Sequence, residues 1–447
     1  MRWLLAVLAA ILTLALLRHP LDARPPRDAP AVADTTTPAS AWLALLPDGE
    51  TKRRFVLDCA GCHVFDGRTA TLGGRSRTHQ DWSAAVSTML LFAGSETSFP
   101  IMSPEREAEA TAAWLTASLG DRVPAPHPAP AVPEGWEVRV YSLPRPDLPH
   151  DVAVAADGRI VVTGMMTGVM YLLDPESGSF ETIEIPVPQA NPRAVEVAPD
   201  GAWWVVLGGP GMLARRDAAS GEWSTWSVGV YAHEAAIDSS GRVWFNGHFT
   251  KSPETLGALD PATGEIRRWE VPSPPMPEGG STIPYGLRAA ADGTIWMTQL
   301  LGNRLVRLDP ASGAFTLYDF PSPHSGPRRL DVARDGTVWV PEFSGGRLAR
   351  LVPGSAELEE IALPDPDVLP YVARSDPRSG AVWMGTGAGD RVLRVDPATG
   401  AVLEFPLPGP SALVRHLAVD PGTGDVWGAT GPFPVVAPRV FVIRRTR

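Results

Sequence analysis

Cysteine occurs only twice in this chain, as Cys59 and Cys62, and a histidine follows at once: the segment reads VLDCAGCHVFDG from Val56 to Gly67. Two thiols separated by two residues and followed by an imidazole are the arrangement that attaches haem covalently. Each thiol adds across a vinyl group, and His63 is placed under the iron as axial ligand. Two other chemistries share part of this pattern. A zinc site would need a second pair of ligands, and the chain has no third cysteine. A redox Cys-x-x-Cys belongs beside a strand-helix-strand unit, which the flanking sequence lacks. Haem attachment is the reading that uses all three residues.

A ligand from the far side of the haem is expected to be a thioether, which raises the potential. Met89 and Met102 both compete for that role, with His79 behind them. Met89 closes the segment DWSAAVSTM, where Trp82, Val86 and Met89 recur at i, i+4 and i+7, one apolar face of a helix over Gln80 to Phe92. Its plain alternative is core packing, the usual task of a methionine on a helix face. Met102 precedes Ser103-Pro104-Glu105, whose capping serine, first-position proline and early acid predict a helix ending near Trp114-Leu115. With helical character over Lys52 to Leu57, residues 50 to 120 resemble a small class I cytochrome c. That resemblance implies one haem c. The W-x-x-x-V-x-x-M segment resembles that of cytochrome domains fused to propellers, which favours Met89, whereas the loop position of Met102 matches the more general cytochrome layout.

The elements that carry this segment are a small part of the molecule. At 447 residues the chain exceeds a single hydrophobic core, and 47 Pro and 43 Gly favour short strands and turns over long helices. The net charge of -11 gives a phosphate backbone nothing to meet, so nucleic acid is not an expected partner. An early Arg2, an apolar run from Trp3 to Leu17 and then Arg18 read as an export signal. The run is shorter than the roughly 20 residues that span a bilayer comfortably, and the small-residue site at Leu21-Asp22-Ala23 is a poor cleavage match. Cleaved signal and retained membrane tether are both open. Either way the expected compartment is the periplasm, where bacterial haem c attachment takes place. The expected division is therefore a signal or anchor over 1–23, a disordered tether over 24–45, a haem domain over 46–120, a Pro-rich stiff linker over 121–135 and a second domain over 136–447.

That second domain is a repeat. Asp-Gly or an equivalent, followed by an apolar strand that usually carries tryptophan, recurs around Gly158, Gly201, Gly241, Gly293, Gly336, Gly380 and Gly424. Most units continue through LDPESG, LDPATG, LDPASG or VDPATG into an extended run such as TLYDFPSP. Each unit parses as four short strands, and four strands in roughly 40 residues predict a propeller blade. The last unit runs out after RVFVIRR, while EVRVYSLP at 137–144 precedes the first, so the N-terminal strand is expected to complete the seventh blade. The fold class expected is mainly β, a seven-bladed β-propeller preceded by a small all-α cytochrome c domain.

Units such as PYGLRAAADGTIWMTQLLGNRLVRLDPASG and PRRLDVARDGTVWVPEFSGGRLARL resemble the streptogramin B lyase (virginiamycin B lyase) family over residues 135 to 445. The resemblance implies a seven-bladed ring. It also implies a lactone-opening site in which a histidine base works beside a magnesium ion held by glutamates, in the pattern Glu-x-His with a further Glu fourteen residues on. In unit five those positions are Gly326, Arg328 and Glu342, and in unit seven Leu413, Arg415 and Thr430, with His416 one place off. Only Glu342 keeps the family's residue type, and an arginine in place of the base repels a cation.

One mouth of the channel still gathers polar residues. The starts of the first strands supply His150, Arg193, His233, Tyr285, Arg328, Tyr371 and Arg415, and the ends of the second strands add His248, Gln299 and Glu342. His233 and His248 belong to one blade and are expected to be neighbours, as ligands of a divalent metal or as partners sharing a proton. The arginines suggest a small anionic ligand. A solvated, merely polar mouth is the plain alternative. The leading functional expectation is an exported c-type cytochrome exchanging electrons with a redox partner, its propeller a docking or substrate-binding body. A metal-dependent lyase or hydrolase with the cytochrome as sensor, and a pure binding scaffold, are the competing expectations.

Overall fold

The computed structural model describes residues 37–61, 63–97, 99–125, 129–250, 253–276, 280–409, 412–431 and 438–446. The N-terminal apolar run and Cys62 lie outside the described residues. Among the described residues no helix is long and apolar enough to cross a membrane.

Seven four-stranded antiparallel sheets form a closed ring, each running from an innermost strand at the channel to an outermost strand at the rim. The repeated Asp-Gly is the turn between first and second strands. Gly158 and Gly336 adopt φ of 83° and 84°, where a side chain is disfavoured. The preceding aspartates, Asp157 and Asp335, accept from the amide two residues on. The aspartate of each Asp-Pro-x-x-Gly phrase does the same between third and fourth strands, as Asp174 does for Glu176 and Asp309 for Ala311. The tryptophans that follow Asp-Gly point into seven apolar layers, one between each pair of neighbouring blades. The ring closes as the sequence predicts: Trp136–Ser142 pairs antiparallel with Arg439–Arg445 and supplies the outermost strand of blade seven.

Among the described residues five α-helices precede the ring, over Ala39–Leu43, Glu50–Cys59, Gly67–Ala70, His79–Ala93 and Ala108–Leu119. The first corrects the end of the expected tether over 24–45, whose residues 24–36 lie outside the described residues. Ala39, Trp42, Leu43 and Leu46 recur at helical spacing and are buried, so this stretch is ordered by packing. The helix His79–Ala93 begins with a reciprocal cap between Thr78 and Asp81. The last helix starts four residues later than Ser103-Pro104-Glu105 suggests. The amide of Met102 is tied to the Ala93 carbonyl at 2.9 Å, that of Ser103 to Asp58 at 3.1 Å, and the Arg106 guanidinium to Asp58 at 2.7 Å. These tertiary bonds hold residues 102–106 as a turn and override the local helix-start signal.

The helical domain is packed on the ring, notwithstanding the proline-rich segment between them. One continuous apolar cluster runs from Phe55, Phe65, Trp82 and Leu115 of the helices into Tyr285, Phe343, Tyr371 and Leu413 of the propeller.

Candidate functional site

Seven residues occupy one structural position, the second residue of each innermost strand: His150, Arg193, His233, Tyr285, Arg328, Tyr371 and Arg415. The residue before five of them is proline, which suits the first place of a strand because it has no amide to donate. The seven side chains form a layer across the channel, and all of them are buried. This is a covered mouth, which the plain reading of a solvated rim does not describe.

His233 and His248 stack with ring centroids 4.3 Å apart. Each imidazole presents Nδ1 to a backbone carbonyl, His233 to Tyr285 at 3.0 Å and His248 to Pro284 at 2.9 Å. The carbonyls fix Nδ1 as the protonated nitrogen, and burial holds both rings far below the ordinary imidazole value. The Nε2 atom of His233 is buried with no partner. Among the described residues no group of three or more His, Cys, Asp or Glu is gathered as metal ligands would be. The pair therefore has no third side chain of that kind to complete a site.

Tyr285, whose ring is 4.0 Å from that of His233, also meets Arg328, which is caged by aromatic rings. Its guanidinium carbon lies 3.8 Å from the centroid of Phe343, 4.4 Å from Tyr371 and 4.8 Å from Tyr285, and its Nη1 donates to the Tyr285 hydroxyl at 2.6 Å. The Tyr285 and Tyr371 hydroxyls are hydrogen-bonded to each other.

Deeper in the channel the charges pair. Arg329 reaches across to Asp151 at 2.8 Å, and Arg288 bonds Glu234 at 2.8 Å. Burial, the largest single influence, would raise Asp151, but Arg329, His416 and His150 together outweigh it and hold the carboxylate below its usual range. Burial brings His150 down to about 3, so that ring is neutral beside the Asp151 carboxylate at 2.7 Å. At the far end the channel widens into a cavity of about 690 Å³ lined by Glu196, Arg288, Asp331, Arg374 and His416.

Residues 59–61 of the Cys-Ala-Gly-Cys-His sequence lie on the covered mouth. Cys59 ends the helix Glu50–Cys59 and packs against the apolar cluster shared by both domains. A Cβ atom on Gly61 would stand 2.3 Å from the Arg328 guanidinium, so glycine is what allows the segment to rest on this side chain. Burial lowers His63 below the ordinary imidazole value, and its Nδ1 is buried with no partner. A neutral imidazole is the form that ligates a metal.

The two methionines differ in their surroundings. Met89 continues the buried face of Trp82 and Val86, yet it is 37 % exposed, so no protein covers that end of the face. Met102 is 3 % exposed and already enclosed. A neutral, half-buried imidazole at the end of a Cys-x-x-Cys-His sequence, together with an uncovered thioether on the helix face of Trp82 and Val86, fits a covalently held haem. His79 stands at the start of the helix beside Glu109, at 3.5 Å.

Polar contacts set the orientation of the two domains. Lys52 is buried and bonds Asp367 at 2.8 Å, His324 faces Glu50 at 3.1 Å, and the Ser40 amide donates to the Ala388 carbonyl at 2.8 Å.

Two expected members of the mouth are elsewhere. Gln299 and Glu342 pair with Pro284 and Pro327, whereas the residue of blade three in that register is Gly247. His248 is thus one place further on, in line with Leu300 and Phe343, whose amides bond the preceding strand in the same manner. Side chains alternate along a strand, so Gln299 and Glu342 turn away from the face that His248 and Phe343 share. Gln299 donates to Glu254 at 3.3 Å in the interior of its blade. Asp151, Glu234 and Arg329 were not among the sequence candidates. Their signal was available, since each follows directly on a mouth residue.

Residues 277–430, blades four to seven, match the model of the Virginiamycin B lyase family. No curated protein matches the chain. Among solved structures, a streptogramin B lyase is 19 % identical with a TM-score of 0.61, over 70 % of this chain and 98 % of that one. A catalytically inactive virginiamycin B lyase from Staphylococcus aureus with quinupristin has the same identity and TM-score, over 70 % of this chain and all of its own. The U3-55K structure is 11 % identical with a TM-score of 0.57, over 69 % of this chain and 98 % of that one. At such identities the likeness is one of fold, and one fold serves many chemistries. In its ring, then, the chain is similar to the streptogramin B lyases, with arginines where the family's pattern has its histidine.

Proposed function

We propose that this chain is an exported c-type cytochrome for electron transfer, in which the propeller is the rigid body that seats the haem-bearing segment. The observation that carries the reading is the Cys-Ala-Gly-Cys-His sequence itself, with a neutral, half-buried His63 two residues beyond the Gly61 that rests on Arg328 of the channel mouth. Cys59 and Cys62 would hold the haem covalently, His63 would be one axial ligand, and Met89, with Met102 as the alternative, the other. When bound there, the haem supplies a one-electron couple. The protein's own part is orientation and exclusion of water. Gly61 permits contact with Arg328, the Lys52 to Asp367 pair fixes the helix that leads into the motif, and the shared apolar cluster keeps the underside of the segment dry. Export to the periplasm is supported by the N-terminal apolar run and by the compartment in which such attachment takes place.

The test is a visible spectrum, oxidised and reduced, of protein expressed with the haem-attachment machinery. Haem that stays on the denatured chain, together with an absorption band of methionine-to-iron ligation, is expected. The band should vanish in Met89→Ala and persist in Met102→Ala, with a lowered midpoint potential in the former. A chain that acquires no covalent haem under these conditions overturns the reading.

A further inference from the structure

Two of the arginines in the covered mouth, Arg193 and Arg328, are buried with no carboxylate in ion-pairing distance among the described residues. Their Nη1 atoms donate only to phenols, Tyr231 at 2.7 Å and Tyr285 at 2.6 Å, and both Nε atoms are buried without a partner. The deeper arginines of the same channel are treated differently. Arg329 meets Asp151 at 2.8 Å, Arg288 meets Glu234 at 2.8 Å and Arg374 lies 3.6 Å from Glu234. A cation taken out of water without a counter-charge is strongly unfavourable. The fold thus satisfies this rule one layer down and leaves it unsatisfied at the mouth. Burial raises Tyr285 above its ordinary value and would raise Tyr371 too, but Arg328 above all, then Arg415 and Arg329, hold Tyr371 below it.

We propose that Arg193 and Arg328, with the Tyr285 and Tyr371 hydroxyls, form a site for one small carboxylate or oxyanion in the mouth on which Gly61 rests. Planar guanidiniums and phenol hydroxyls are donors suited to a two-oxygen anion. Two sources share this chemistry. One is a free anion from solution. The other is a propionate of the haem, and that branch rests on the electron-transfer reading above.

Formate is the probe, added to the full chain in a sulfonate buffer free of other small anions. A free-anion site gives a saturable rise in Tm on the order of 3 °C at about a hundred times Kd. Arg193→Gln and Arg328→Gln should each weaken that response at least tenfold. Arg193→Lys keeps the charge, loses the planar fork and carries the same test should a glutamine variant fail to fold. The propionate source gives a different pattern: no response to formate, and a midpoint potential that is flat between about pH 5 and 8 in the wild type but pH-dependent in Arg193→Gln. No response to formate, with identical potentials and pH profiles in wild type and variants, overturns the proposal. So does a tyrosinate absorption in the wild type that disappears in Tyr371→Phe, because the counter-charge would then belong to the chain. A chain that carries no haem still reports on formate, which separates failure of the anion site from failure of the electron-transfer reading.

Discussion

Glu342 is the residue at which sequence and structure part company most clearly. It is the one member of the lyase pattern whose type survives, yet its carboxyl is turned away from the mouth, fully buried, with neither oxygen hydrogen-bonded. Burial first and the charge of Glu360 next push it up to about 8. The folded value lies above the unfolded one, so the native state holds an extra proton between the two, and stability from this group is lost as pH rises from about 4.5 to 8. Glu342→Gln keeps the shape and removes the titration. Urea unfolding at pH 5, 6.5 and 8 is expected to show the variant gaining on the wild type across this range, by on the order of 4 kcal/mol at the top. The difference isolates Glu342 from the buried histidines, His150 and His416, which are brought down to about 3 and act in the opposite sense below pH 6.5. The seven mouth residues were legible because each opens a repeat unit, five of them behind a proline. The orientation of Glu342 was legible too, had the second strands been aligned by register, with Gly247 rather than His248 opposite the first residue of blade three.

At the scale of elements, the helix Glu50–Cys59 does two tasks: it delivers Cys59, and it fastens the helical domain to the ring. Lys52 is central to the second. Its ammonium lies 2.8 Å from Asp367, itself raised above the ordinary carboxylate value by burial. Lys52→Met leaves that carboxylate buried and unpaired, at a cost of about 3 kcal/mol. Calorimetry should then resolve the helical domain as a separate, earlier transition. Adding Asp367→Asn should restore a single one, because the unpaired charge is gone. Helix positions were largely readable from apolar spacing, whereas the reciprocal cap of Thr78 and Asp81 is seen in the structure. The helix Ala39–Leu43 went unread because proline and threonine before it suggest a tether, although Trp42, Leu43 and Leu46 carry the apolar face. The start of Ala108–Leu119 was misjudged because the bonds to Asp58 and Ala93 that hold the preceding turn are made with distant residues.

Across the whole molecule, the number of blades and the exchange of the terminal strand follow from the repeat, since each is a local pattern read seven times. The seating of the helical domain on the channel mouth does not, because no local pattern records which two surfaces meet. It is visible only when Gly61 and Arg328, far apart in the chain, are found in contact. Closure is what makes the mouth a fixed platform, and it rests on a single pairing, from Trp136 opposite Arg445 to Ser142 opposite Arg439. Val442 lies in the middle of this strand, opposite Arg139 on one side and Trp427 on the other, so its amide serves the ladder whichever way it points. Val442→Pro removes that bond and places a ring where the backbone is paired on both sides, a loss of at least about 3 kcal/mol. The consequence exceeds one hydrogen bond, because opening blade seven exposes unpaired strand edges on both sides of the break. Urea midpoints should fall sharply in this variant, and light scattering should show concentration-dependent association. Unchanged midpoints with a monomeric variant would mean that the ring does not depend on the exchanged strand, and that the platform beneath Cys59 and His63 is held by the inter-blade layers alone.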